Sequence, residues 1–153
     1  MKNVIAAAAM STIGAVSAGA EGIEIRPNGA SPSVVGKTPD NFTGHVIITP
    51  LFPPNDTTRA NAGLVTFTPG ARTTWHTHPA GQLLLITSGQ GWVQEEGHER
   101  RTVNAGDVVF FAAGIKHWHG ATTTSPMAHI AMTYQQDGEN VDWLEPVSEE
   151  QYR

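Results

Sequence analysis

From Phe42 onward the chain is a succession of short runs in which apolar and polar residues alternate. They cover residues 44–49, 63–68, 73–78, 82–87, 91–94, 99–103, 107–111, 118–122 and 127–135. The runs recur at roughly ten-residue spacing. Turn-forming stretches separate them: PPND, TPGA, HPAG, TSGQG, EEGH, NAGD, AAGIK and TTTSP. A period of two marks a strand with one buried face, and many short strands at regular spacing predict an all-β sandwich or barrel. After Pro146, Ser148-Glu149-Glu150-Gln151 predicts the start of a short C-terminal helix.

The first 40 residues break this pattern. Lys2 precedes an apolar run from Val4 to Val16, and Ala18-Gly19-Ala20 satisfies the small-x-small rule for signal cleavage. The run is too short to span a bilayer. Residues 1–20 are therefore expected to be a signal peptide cleaved after Ala20, which places the mature protein in the periplasm or outside the cell. Residues 21–40, with Pro27, Pro32 and Pro39, are expected to form an irregular arm, and residues 41–153 the folded domain.

Composition narrows the class. The chain has 153 residues, 39% hydrophobic and 15% charged, enough for one domain with a core. Sixteen glycines and ten prolines suit a turn-rich β architecture. A net charge of −5 with no cluster of Lys or Arg argues against a nucleic-acid partner, and no membrane partner is expected. With no cysteine, disulfides, thiolate nucleophiles and zinc-thiolate sites are excluded.

The chemistry lies in the histidines. Alternate residues of a strand share a face, so His76 and His78 point the same way, and the Pro79–Gly81 turn returns Gln82 beside them. His117 and His119 repeat the arrangement around Trp118, and His129 shares a face with Met127 and Ala131. Neutral imidazoles clustered inside a barrel are costly to bury unless something engages their lone pairs, which a divalent metal does. His76, His78 and His117 are thus the leading metal ligands. His45 and His98 lack such a setting and read as surface residues. Trp75 and Trp118 alternate away from the ligands, toward the outer face or an inter-sheet contact. Val65, Phe67, Leu84, Phe110 and Met127 are candidates for apolar pocket walls.

The spacings resemble those of cupins, whose two motifs are G-x5-H-x-H-x3,4-E-x6-G and G-x5-P-x-G-x2-H-x3-N. Here Gly70, His76, His78, Gln82 and Gly89 hold every spacing of the first. Gly106, Ala112, Gly114, His117 and Ala121 hold those of the second. Gln82 replaces Glu, Ala112 replaces Pro, and Ala121 replaces Asn. The resemblance implies a jelly-roll barrel, the double-stranded β-helix. Over residues 41–153 the chain resembles the small cupin-type, (R)-selective hydroxynitrile lyases of bacteria. The carrying stretches include VTFTPGARTTWHTHPAGQLLLITSGQGWVQEEG and GDVVFFAAGIKHWHGA.

That resemblance implies His76, His78, Gln82 and His117 as metal ligands, manganese as the metal, and iron or another divalent ion as alternatives. It implies His129 over the metal, handling the substrate proton, with His119 also lining the pocket. It further implies a small-molecule substrate and a homodimer or homotetramer. Three histidines and a glutamine carry no charge, so a bound ion keeps its full double charge, which favours Lewis-acid chemistry over oxidation. The leading expectation is cleavage or formation of cyanohydrins such as (R)-mandelonitrile. A cupin dioxygenase or oxidase, quercetinase-like or alkene-cleaving, and a non-catalytic small-molecule-binding cupin are the competing readings.

Overall fold

The computed structural model describes residues 22–36 and 39–153; the expected signal peptide lies outside the described residues. The chain folds as an all-β jelly-roll barrel closed by one short C-terminal helix. One sheet contains β1 (Val34–Val35), β3 (Val46–Phe52), β4 (Ala60–Phe67), β11 (Met127–Tyr134), β7 (Gln82–Glu95) and β9 (Val108–Phe111), in that spatial order. The second contains β2 (Phe42–Thr43), β5 (Arg72–Thr73), β10 (His117–Ala121), the far half of β7 and β8 (Arg101–Asn104). Against β10 also lies β6 (His76–Thr77), which pairs in turn with β12 (Asp142–Trp143). Among the described residues all of the pairings are antiparallel, with the register shifting at Ala128–His129 and at Pro50–Phe52.

Two sequence expectations change here. Residues 82–87 and 91–94 form one 14-residue strand, not two. The TSGQG stretch is the place where β7 passes from one sheet into the other. Gly89 sits at φ +72°, and a Cβ there would overlap the Pro126 carbonyl; a Cβ on Gly91 would come within 2.5 Å of the Gly120 carbonyl oxygen. These glycines permit close approach of neighbouring backbone rather than a reversal. Conversely, the run 73–78 is broken at Thr74–Trp75 into β5 and β6. There the amides of Thr74 and Trp75 leave the sheet to bond Asn41 and Glu145 carbonyls.

Phe67, Leu84, Ile86 and Met127 fill the barrel interior, each almost wholly buried. A second cluster lies outside the barrel. Trp75 and Trp118 point away from the interior and are covered by Val147 and Tyr152. The covering helix α1 (Glu149–Tyr152) starts at Ser148 with a reciprocal capping box to Gln151. Arg72 ties it down, donating to the Val147 carbonyl and the Glu149 carboxylate. The Tyr152 hydroxyl donates to the Ala121 carbonyl.

Candidate metal centre

Six side chains, five of them on strands, converge inside one end of the barrel. The β6–β10 register sets His76 directly opposite His117, with ring centroids 4.3 Å apart. His78 follows β6, its ring 5.0 Å from that of His76 and 5.4 Å from that of His117. After the turn, Gln82 opens β7 opposite Thr133 of β11. His119 lies two residues along β10 from His117, and His129 approaches from β11, with 4.9 Å between those two rings.

Hydrogen bonding divides the five histidines into two groups. The Nδ1 atoms of His76, His78 and His117 lie 2.9, 2.5 and 2.9 Å from the carbonyl oxygens of Thr74, Asn140 and Ile115. A carbonyl can only accept, so each ring carries its proton on Nδ1 and keeps its Nε2 lone pair free. The Nε2 atoms of His78 and His117 are buried and without a partner. Gln82 behaves likewise: its Nε2 donates to the Thr133 hydroxyl at 3.0 Å, which leaves Oε1 buried and unpartnered. By contrast, neither ring nitrogen of His119 or of His129 has a partner.

Burial this dry holds the imidazoles neutral. Desolvation pushes His129 down to about 3. It pushes His117 down to about 4, with the Ile115 carbonyl opposing the shift. Burial, reinforced by the neighbouring imidazoles, holds His76 and His119 well below the usual range. His78 is lowered by burial too, against the pull of the Asn140 carbonyl.

Leaving several buried polar atoms unpaired is expensive unless a ligand engages them. Three neutral imidazoles and an amide oxygen, each anchored from behind by a carbonyl or hydroxyl, suit a divalent cation. Single ligand atoms of His76, His117 and His119 also lie within 4.8 Å of one another, so His119 stands within reach of the same ion. It lacks the anchoring carbonyl that the other three share, which suits a group free to bond substrate.

The cavity in front of these residues holds about 180 Å³. Val65 and Phe67 line it, with Ile48, Val141 and Trp143. Leu84 and Met127 are not on its wall; they pack in the core. Phe110 is a correction: its side chain is 62% exposed on the outside of the barrel, while its neighbour Phe111 turns inward and stacks on His117 at 3.6 Å. The pairing of Phe111 with Gln82 sets that parity. His45 and His98 are exposed.

Thr133, Asn140 and Trp143 escaped the sequence reading. Thr133 lies on the face of β11 that carries His129, so strand parity could have revealed it. Asn140 acts through its backbone carbonyl, which no side-chain pattern reports.

Residues 63–133 match the cupin domain family. An (R)-mandelonitrile lyase of Granulicella tundricola is 51% identical over 132 residues, covering 86% of this chain and 99% of that protein. Among solved structures, a cupin-like protein from Thermotoga maritima is 40% identical with a TM-score of 0.74, covering 78% of this chain and 90% of that one. A DMSP lyase from Ruegeria pomeroyi, 23% identical with a TM-score of 0.57 over 72% of this chain and 55% of its own, shares the fold. A barrel of this topology, with both histidine motifs at its mouth and a relative alike over nearly its whole length, leaves one assignment: the chain belongs to the cupin family.

Proposed function

We propose that the protein is a metal-dependent hydroxynitrile lyase, cleaving (R)-cyanohydrins such as (R)-mandelonitrile to an aldehyde and hydrogen cyanide, or joining them in reverse. One observation carries the reading: His119 and His129 face each other beside the ligand set, buried, neutral, and with all four ring nitrogens unpartnered. A site that only bound metal would have no use for that pair. The 51% identity to an (R)-mandelonitrile lyase supports it.

His76, His78, Gln82 and His117 would hold a divalent cation, manganese first and iron as the alternative, and it would supply Lewis-acid polarisation of the substrate oxygen. His129, kept in its base form by burial, accepts the hydroxyl proton. The C–C electron pair leaves with cyanide, the carbonyl forms, and the proton is returned to cyanide as hydrogen cyanide. His119 stands where a ring N–H can donate to the departing group. The apolar walls Val65, Phe67 and Val141 take the substituent and keep bulk water away from the proton path. A chamber of 180 Å³ is smaller than the roughly 300–1,000 Å³ of sites for drug-sized ligands, which disfavours the flavonoid of a quercetinase.

The test is anaerobic. Protein loaded with Mn²⁺ is mixed with (R)- or (S)-mandelonitrile, and benzaldehyde and cyanide are followed together. Equimolar release, faster from the (R) enantiomer, supports the proposal. His129→Ala should slow it by about 10²-fold or more. No anaerobic release from loaded protein would overturn it, and turnover that starts only when O₂ is admitted and consumed would favour an oxygenase.

A further inference from the structure

The chain has four tryptophans, and three of them lie together outside the barrel. Trp75 and Trp118 are buried with Val147 and Tyr152, and Trp92 packs against them. The fourth, Trp143, stands apart. It lines the cavity in front of the histidines and is still 37% exposed. Register puts it there: β12 sets Trp143 directly opposite His76, and directly opposed residues share a face of the sheet. The indole lies tilted against the His76 ring, with 4.9 Å between centroids. Phe42 supports it from another side, its ring 5.6 Å away. With its oxygen toward the indole, the Asn41 amide accepts from Trp143 Nε1 at 3.2 Å and donates to the Asp40 carbonyl at 3.1 Å. The ring is thus fixed in place yet partly bare.

We infer that Trp143 selects the side group of the substrate: its indole receives a flat aryl ring, so the site prefers aryl to alkyl cyanohydrins of similar size. The assignment rests on the lyase reading above. Three aromatic side chains besides the histidines line the cavity: Phe42, Phe67 and Trp143. Phe67 is wholly buried, its ring centroid 5.9 Å from that of His119 and 5.6 Å from that of His129. Phe42 is nearly as buried and packs against both Phe67 and Trp143. Of the three, only Trp143 has aromatic area left to offer a ligand. The remaining apolar walls, Ile48, Val65, Ala131 and Val141, are aliphatic and bound a substituent without favouring a flat one. Position agrees with this. In an aryl cyanohydrin the ring is bonded to the carbon that carries the hydroxyl. A ring resting on the indole, beside His76, therefore brings that carbon to the ligand set. Aromatic pairs gain attraction beyond the area they bury, which an alkyl chain on the same surface does not. A tryptophan kept only for packing would be covered, as Trp75 and Trp118 are.

Two measurements on the full chain test the assignment, and the first needs no lyase activity. Benzyl alcohol and cyclohexylmethanol share a skeleton, but only benzyl alcohol has a π face. Calorimetric titration should find benzyl alcohol bound about threefold or more tightly than cyclohexylmethanol. Trp143→Leu should abolish that preference, and Trp143→Phe should keep most of it. The second measurement uses Mn²⁺-loaded protein and compares kcat/KM for (R)-mandelonitrile with that for (R)-2-hydroxyhexanenitrile. Trp143→Leu should lower the ratio of the two by about tenfold, chiefly through a higher KM for the aryl substrate. A loss of packing alone would lower both values alike and leave the ratio unchanged, which would overturn the assignment. So would a preference for benzyl alcohol that survives in folded Trp143→Leu. Wild-type protein that binds benzyl alcohol no better than cyclohexylmethanol would overturn it too, and that comparison stands even if the variant fails to fold. If neither cyanohydrin is turned over, the lyase reading falls, and the two alcohols alone decide whether Trp143 receives an aryl ring.

Discussion

At the scale of single residues, the centre depends on which way one amide faces. Gln82 could present oxygen or nitrogen to a cation, and only oxygen has a lone pair to give. Its Nε2 donates to the Thr133 hydroxyl, and that bond turns Oε1 inward. Thr133→Val removes the acceptor while keeping the shape, so the amide loses its orientation. We expect Mn²⁺ affinity, read by chelator competition and the electron paramagnetic resonance of the ion, to fall by about 10–100-fold. Thr133→Ser should keep it. Equal affinities for Thr133→Val and wild type would show that the bond does not position Gln82. The ligand spacings were legible in the sequence because strand parity and one tight turn are local rules. Thr133 was legible in principle, lying in phase with His129. Asn140 was not, because its contribution is a carbonyl delivered by a segment 62 residues from His78.

At the scale of elements, most strands followed from alternation, and the C-terminal helix followed from its cap. The errors share a cause: local sequence reports a change of direction but not its kind. The glycines of TSGQG read as a reversal, yet they let β7 cross between sheets against Pro126 and Gly120. Phe110 and Phe111 are equally apolar, and only the pairing of β9 with β7 tells which one points inward. Two glycines separate conformation from crowding. Gly97→Ala places a residue at φ +79° in open space and should cost about 1 kcal/mol. Gly89→Ala has a similar φ of +72° but also drives a methyl into the Pro126 carbonyl, and should cost clearly more, about 2 kcal/mol or above. Urea midpoints compare them directly. Equal losses would mean that the crossing relaxes freely around its neighbours.

At the scale of the whole molecule, five buried imidazoles make stability depend on pH in one direction. In the unfolded chain each takes up a proton near its ordinary value of 6.5; in the folded protein His129 does so only near 3 and His117 near 4. Between 6.5 and those values the unfolded state binds more protons, so stability rises with pH and falls on acidification. A single such histidine sets a limiting slope of about 1.4 kcal/mol per pH unit. The window from pH 6.5 to 5 isolates the effect, because carboxylates whose ordinary value is 4.5, such as Glu145 and Glu149, hold their charge there and lie lower still when folded. Metal-free protein, unfolded by urea at fixed protein concentration, should therefore lose several kcal/mol across that window. His129→Leu should lose less, by about one proton's worth. On the proposed function Mn²⁺ would bind only the folded form with its imidazoles deprotonated, so adding it should raise the urea midpoint at pH 7 and lose its effect as the pH falls. A midpoint that stays level from pH 7 to 5 would mean that the imidazoles are hydrated in solution, and the dry, neutral centre on which the proton transfer to His129 depends would have to be abandoned.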